Sequence, residues 1–381
     1  MRKLKTVDAS DPCSLISPLR EAIFDGGPAV MPVPRGPDLN SERLPDVEDE
    51  IAVVVQTSGT TNSPKRVAIT AEALLANAEA GLEQLDSVGS WLQLLPAHYI
   101  AGIQVVVRSI LGGTPLNSLR SKRFSIDSMV SEFLDTPSQD FPLYTSMVPA
   151  QLSRTISGCT ENRDFLKVMK KFQHILVGGQ SVPQDVLDQA HNLGLRVTST
   201  YGSSETSGGC VWNGFPIGKT QIAVFDGRIA ISGPTLAHSY LNDAIGTAKS
   251  FIEIGSTRWF MSDDFGSIDG QGRLTVRGRL DDVIISGGVK VNLAEVENIV
   301  RSRFRAEEAI IVASDHAVWG QVPVLVTNAD LDLRAVRRHV AKVLGPQARP
   351  DRAIMLARLP YLMSGKPDRK LISKLARENR N

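Results

Sequence analysis

Cysteine is scarce in this 381-residue chain: Cys13, Cys159 and Cys210 lie far apart, with no Cys-x-x-Cys pair and no Cys/His cluster. That spacing excludes a disulfide framework and a zinc site, and it suits a reducing cytoplasm. Charge of one sign is lacking too. Lys and Arg number 42 against 41 Asp and Glu, a net charge of +1, whereas a nucleic-acid binder carries a basic surplus. The basic run Lys366 to Arg380 is the exception and reads as a solvated terminal helix. No apolar run reaches the roughly 18 residues of a membrane span, and Asp8 and Asp11 stand where a secretory leader is apolar. The chain is therefore expected to be cytoplasmic, with neither nucleic acid nor membrane among its partners.

At 381 residues, 42% of them hydrophobic and 22% charged, the chain can fill a large core and is expected to form two domains. Residues 27–50, rich in Pro, Gly and acidic groups, read as an irregular lead-in. From residue 51, apolar strands at 51–55, 91–95, 143–147, 174–178 and 195–200 alternate with helical stretches at 71–85, 102–111, 149–157 and 183–193. Thr70 is the expected N-cap of the first helix, and Pro183 opens the last. Such alternation predicts an α/β fold, with mixed or parallel sheets covered by helices in a large N-terminal domain. Between 214 and 282 the texture turns Gly-rich and β-leaning. After about residue 283 a helix at 293–304, strands near 308–314 and 322–327, a helix at 331–344 and a strand near 353–358 predict a small C-terminal α+β domain. Asn292 and Glu295 have the spacing of a capping box.

The strand at 51–55 empties into Thr57-Ser58-Gly59-Thr60-Thr61-Asn62-Ser63-Pro64-Lys65. Glycine lets backbone N–H groups turn toward a ligand, and hydroxyls and an ammonium add donors, a composition suited to a polyphosphate. It is not a Walker loop, because Lys65 follows proline rather than opening a helix after glycine. Tyr201-Gly202-Ser203-Ser204-Glu205-Thr206 follows the strand at 195–200, at the carboxyl end where open α/β sheets bind ligands. An aromatic ring there can stack on a base, and a carboxylate can hold Mg2+. Further along come Trp259-Phe260-Met261-Ser262-Asp263-Asp264-Phe265-Gly266, then Arg277-Gly278-Arg279-Leu280-Asp281-Asp282, then Ser286-Gly287-Gly288. Near the end stands Pro360-Tyr361-Leu362-Met363-Ser364-Gly365-Lys366-Pro367-Asp368-Arg369.

These segments, in this order, resemble the adenylate-forming superfamily of acyl-CoA synthetases, luciferases and nonribosomal adenylation domains, over about residues 51–372. The resemblance implies a large domain, 1–280, that binds ATP and acid, and a small mobile domain, 281–381, hinged at Asp281. It implies that Ser58, Gly59, Thr60, Thr61 and Lys65 handle the β- and γ-phosphates, and that Gly178-Gly179-Gln180 backs the adenine on which Tyr201 stacks, beside Gly202. Ser204 would lie near the α-phosphate or substrate carboxylate, and Glu205 would hold Mg2+. Asp264, helped by Arg279, would hold the ribose hydroxyls, and Lys366 would reach the reacting carboxylate and α-phosphate. Ser286-Gly287-Gly288 would line the pantetheine path, although Gly-rich sequence of this kind also makes plain hairpin turns. The implied reactants are ATP, CoA and a small-molecule acid, with Mg2+ as activator and no bound redox cofactor; a homo-oligomer is left open. The sequence departs from the family at Asn62 and Arg66, where glycine is usual, and in the 56 residues before Thr57, fewer than in most relatives. Part of the usual N-terminal subdomain is therefore expected to be missing.

Residues 95–104 and 145–152 are similar to their counterparts in o-succinylbenzoate–CoA ligases, a branch of the superfamily that serves menaquinone synthesis and has similarly short actinobacterial-type members. Gln104 and Arg108, four apart, share a face of an otherwise apolar helix. A buried arginine needs an anion. Arg108 could clamp the second, unactivated carboxylate of such an acid, pair with a protein carboxylate, or reach the surface. His98, with Tyr99 as its rival, is a candidate gate to the acyl or pantetheine channel or else a structural histidine, and Ser146 is a candidate lining residue.

Overall fold

The computed structural model describes residues 1–34, 44–57, 65–85, 87–120, 124–134, 141–306, 308–361 and 367–378. Ser58, Gly59, Thr60, Thr61 and Asn62 of the phosphate-loop motif, and Lys366, lie outside the described residues. The chain divides into two compact units, Met1–Ala223 with Ala230–Met261, and Val224–Ile229 with Ser262–Asn381.

In the first unit, Ile51–Val55 puts five fully buried apolar residues in succession, a pattern that suits a strand covered on both faces. It forms the strand Ile51–Gln56 of a mixed sheet in the order Leu4–Asp8, Ala29–Val33, Ile51–Gln56, Arg66–Thr70, Ser239–Tyr240. The first three strands run parallel, and the last two pair antiparallel. Residues 27–50 are therefore not wholly an irregular lead-in. Ala29, Val30 and Met31 are buried in that sheet, a short apolar strand that the Pro- and Gly-rich average of its surroundings hides.

A second sheet of the same unit orders Phe215–Pro216, Gly208–Trp212, Val197–Ser203, Phe172–Gly178, Leu143–Met147, Ser90–Gln93 and Leu116–Ser118. Its strands from Val197–Ser203 to Leu116–Ser118 are parallel, as strand–helix alternation predicts. Successive side chains take opposite faces. Leu92, Leu143 and Val177 join Met129, Leu152 and Phe165 of the covering helices in one core, while Trp91, Tyr144 and Leu176 join Ala80 and Val105 in another. The second core is roofed by the helices Ala71–Glu83 and Ile100–Gly112. Thr70 caps the first of these, its hydroxyl accepting from the Ala73 N–H at 3.0 Å. No helix among the described residues is long and apolar enough to cross a membrane.

The second unit has a sheet in the order Val289–Asn292, Val283–Ser286, Gly320–Thr327, Ile310–His316, with Ala353–Met355 beside Gly320–Thr327. Helices Leu293–Phe304 and Leu333–Leu344 supply Val296, Val300, Val336 and Val340 to its core. Asn292 caps the first, accepting from the Ala294 N–H at 3.0 Å. Glu297 is the buried exception in this core. Its carboxylate accepts from Arg301 Nη2 at 2.8 Å, from Arg369 Nη2 at 2.8 Å and from the Ile311 N–H at 3.0 Å. Arg369 also donates to the Ile311 carbonyl at 3.0 Å, which fixes the start of the Arg369–Glu378 helix on the sheet.

Removing a buried ionic partner strands the others. Glu297→Ala should lower the stability of this unit by about 2–3 kcal/mol, below the cost of a fully buried pair because both arginines keep some solvent. Urea denaturation followed by fluorescence measures it; an unchanged midpoint would remove the cluster from the stabilising interactions.

Candidate active site

The strand Val197–Ser203 carries Tyr201 and Gly202 to its end, and a tight turn, Ser204–Thr206, then lifts Glu205 out of the sheet. The chain returns along Gly208–Trp212, with Gly209 opposite Gly202. A Cβ on Gly202 would collide with the Gly208 carbonyl, so glycine is a packing requirement there. On the neighbouring strand Gly178 lies as tightly against Thr200, and Gly179 follows with φ +84°. The half-buried Gln180 comes next.

Glu205 is held at both ends. Its carbonyl accepts from the Ala237 N–H at 2.8 Å, and its Oε1 accepts from the Tyr240 hydroxyl at 2.8 Å. Lys65 Nζ donates to that same hydroxyl at 3.4 Å and stands 4.4 Å from the centre of the Tyr240 ring. Lys65 and Glu205, 140 residues apart in sequence, thus share one buried phenol (205 − 65). Sequence reading did not single out Tyr240. Its only local signal is an aromatic residue in a two-residue strand, and its importance comes from pairing with Val67, just beyond the phosphate-loop motif. Thr57 and Lys65 close the base of that motif, with the Thr57 N–H donating to the Lys65 carbonyl at 2.8 Å. Arg66 opens the following strand, opposite Gln56.

An ammonium and a carboxylate that meet on one phenol suit a phosphate with its counter-cation. Among the described residues no group of three or more His, Cys, Asp or Glu could cage a metal. Mg2+ needs no such cage, since it keeps water and binds through one or two carboxylates plus nucleotide phosphates. Glu205 fits that requirement.

Arg108 is 4% exposed on the inner face of the Ile100–Gly112 helix. Its Nη2 donates to Asn77 Oδ1 at 3.2 Å, and its guanidinium lies 5.5 Å and 5.9 Å from the rings of Trp91 and Trp212. Two of the sequence alternatives are set aside: it reaches no carboxylate among the described residues, and it does not reach the surface. Burial lowers its pKa to about 10, which still leaves it charged at neutral pH. Gly81 makes the room, because a Cβ there would stand 3.0 Å from Arg108 Nε. Ser146 is buried on the strand Leu143–Met147. His98 and Tyr99 precede the Arg108 helix with ring centres 4.2 Å apart, both half-buried.

In the second unit Asp264 and Arg279 are cross-strand partners, with Arg279 Nη1 at 3.7 Å from Asp264 Oδ1. Arg279 also grips Asp281 through Nε at 2.8 Å and Nη2 at 3.3 Å. Burial opposes its charge, but the hydrogen bond to Asp281 and the charges of Asp281, Asp264 and Asp263 outweigh that and raise its pKa further. Gly287 and Gly288, with φ of +57° and +80°, form the two-residue turn between Val283–Ser286 and Val289–Asn292, beside the buried Ser286.

The chain belongs to the AMP-binding enzyme family: the family model matches residues 8–241, and the model of the AMP-binding enzyme C-terminal domain matches residues 295–366. Such enzymes bind ATP and adenylate a substrate. Among its relatives is the probable 2-succinylbenzoate–CoA ligase of Mycobacterium tuberculosis, 34% identical over 381 residues that cover 97% of each chain. The 2-succinylbenzoate–CoA ligase of Lactococcus lactis is 27% identical, over 85% of this chain and 71% of its own. In fold, the chain is similar to the o-succinylbenzoate CoA synthetase of Bacillus subtilis solved with its acyl-adenylate, with TM-score 0.73 and 24% identity over 97% of this chain and 78% of that one.

Burial lowers the His98 pKa below the ordinary histidine value. The unfolded chain then takes up a proton near pH 6.5, at about which the folded chain still refuses it. The stability tied to His98 is therefore complete above about pH 6.5 and declines as pH falls toward the folded-state pKa. Denaturation midpoints should fall less on acidification in His98→Asn than in the parent. An NMR titration placing His98 at or above the ordinary value would overturn this.

Proposed function

We propose that the protein is an AMP-forming ligase that joins 2-succinylbenzoate to CoA by way of an acyl-adenylate, a step toward menaquinone. The observation that carries this reading is the likeness to the mycobacterial ligase over 97% of both chains. The site chemistry agrees with it. Two anions must meet, so donors are needed where negative charge builds up during transfer. Lys65 supplies one, and Ser58, Gly59, Thr60 and Thr61 are assigned to the same phosphates. Glu205 would hold Mg2+, which spreads positive charge over the phosphate oxygens. Gly178, Gly179, Gln180, Tyr201 and Gly202 are assigned to the adenine, Asp264 and Arg279 to the ribose, and Ser204 to the α-phosphate.

A carboxylate oxygen of the acid attacks the α-phosphorus, the bond to pyrophosphate breaks, and Lys366 is assigned to the charge on the reacting oxygens. The CoA sulfur then attacks the acyl carbon, its proton goes to solvent, and AMP departs. Ser286, Gly287 and Gly288 are assigned to the pantetheine arm, and Asp281 to the hinge between a large domain, 1–280, and a small one, 281–381. Arg108, a charged guanidinium with no carboxylate partner among the described residues, is assigned to the second carboxylate of the acid, and His98, Tyr99 and Ser146 are assigned to the same substrate.

Pyrophosphate release across a panel of acids, with and without CoA, tests the reading. Release with 2-succinylbenzoate and CoA-dependent thioester are expected. Release with benzoate alone would point to another aryl-CoA ligase, and release without thioester to an enzyme that loads a carrier protein. Arg108→Ala should raise KM at least about ten-fold more for the dicarboxylate than for a monocarboxylate analogue. Equal effects would make it structural. Lys366→Ala should abolish adenylation while sparing thioester formation from supplied acyl-adenylate; equal loss of both would refute its assignment.

A further inference from the structure

The turn after Glu205 is buried, and its backbone cannot be satisfied by its own sheet. Thr206 and Ser207, the latter with φ +54°, lie between the paired strands that end at Ser203 and resume at Gly208, and neither has access to water. Buried carbonyls there require donors from elsewhere. Two helices provide them. From Ala71–Glu83, Asn77 Nδ2 donates to the Thr206 carbonyl at 3.3 Å and the Gly209 carbonyl at 3.2 Å. From Ile100–Gly112, Gln104 Nε2 donates to the Ser207 carbonyl at 2.7 Å.

Asn77 is fully buried in a helix interior, where asparagine is a poor helix former and an unpaired amide is costly. Its whole amide is in use, because Oδ1 accepts from Arg108 Nη2. The amide has one permitted orientation: guanidinium cannot accept, and carbonyls cannot donate. Whatever draws Arg108 away therefore removes one of the three bonds that orient Asn77, the only one on its oxygen. The same amide then holds the turn beside Glu205 less firmly.

We propose that Asn77 is a positioning residue that couples the Arg108 guanidinium to the Glu205 turn, so that binding of a carboxylate at Arg108 and binding of Mg2+–nucleotide at Glu205 alter each other's affinity. The ligand assignments rest on the function proposed above; the hydrogen-bond relay does not. Coupling of this kind is reciprocal.

Binding of α,β-methylene-ATP, which cannot be cleaved at the reacting bond, is measured by calorimetry in Mg2+ and in EDTA, alongside the melting temperature. The affinity gained from Mg2+ should fall about five-fold, the worth of one hydrogen bond, in Asn77→Leu and also in Arg108→Met. A residue serving the acid alone, or the fold alone, would leave that ratio unchanged. Wild-type ratios in both variants, at unchanged melting temperature, overturn the proposal. Should Asn77→Leu fail to fold, Arg108→Met decides alone. Repeating the titration with saturating 2-succinylbenzoate should change nucleotide affinity in the parent and not in Arg108→Met. An acid that binds to the parent without any such change also overturns the coupling. A parent that does not bind 2-succinylbenzoate refutes the substrate, while the Mg2+ ratios still decide the role of Asn77.

Discussion

The turn at Ser204–Gly209, buried at residues 206–208, is the constraint on which the rest of the first unit's site depends. A carboxylate that projects from a strand end needs a sharp reversal behind it, and the reversal leaves carbonyls out of the sheet ladder. Asn77, Gln104 and the Trp212 indole take those carbonyls, while the Ala237 N–H takes that of Glu205 itself. Each donor comes from a different element. The placement of Glu205 thus depends on the packed unit as well as on the turn's own bonds, such as that from the Thr206 hydroxyl to the Gly208 carbonyl at 2.8 Å.

This explains why one part of the site was legible in the sequence and another was not. Strand Ile51–Gln56 announces itself through an unbroken buried run, and Thr70 and Asn292 announce their helices through capping chemistry that acts within three residues. Glu205 and Lys65 stand at strand ends, where type and position suffice. Asn77 gives no such signal. Its partners Thr206 and Gly209 are 129 and 132 residues away, so only the fold brings them together. Tyr240 is alike, reached through a two-residue strand that no periodicity can mark. The buried strand Ala29–Val33 is hidden for another reason, since five residues are too few to alter the composition around them.

In the second unit the same contrast recurs. The glycine pair Gly287-Gly288 could be read as a turn or as a lining for a narrow channel, and both φ values are positive, as a two-residue hairpin turn demands. The two readings are compatible, because a turn made of glycines is also a stretch of backbone without side chains. Glu297, by contrast, looks in sequence like an ordinary charged helix residue. Its burial follows from Arg369, 72 residues further on, which seats the last helix on the sheet just after the motif that contains Lys366.

Arg108 is the residue whose cost most needs an explanation. A methionine or leucine would fill the space between Trp91, Trp212 and Gly81 without desolvating a charge. Contacts with two indole faces and one amide oxygen offset part of that penalty but do not neutralise the cation. The folded chain therefore keeps a positive charge where stability alone favours an apolar group. The proposed assignment of Arg108 to an anionic ligand would account for that cost, at a position joined through one amide to the turn that carries Glu205.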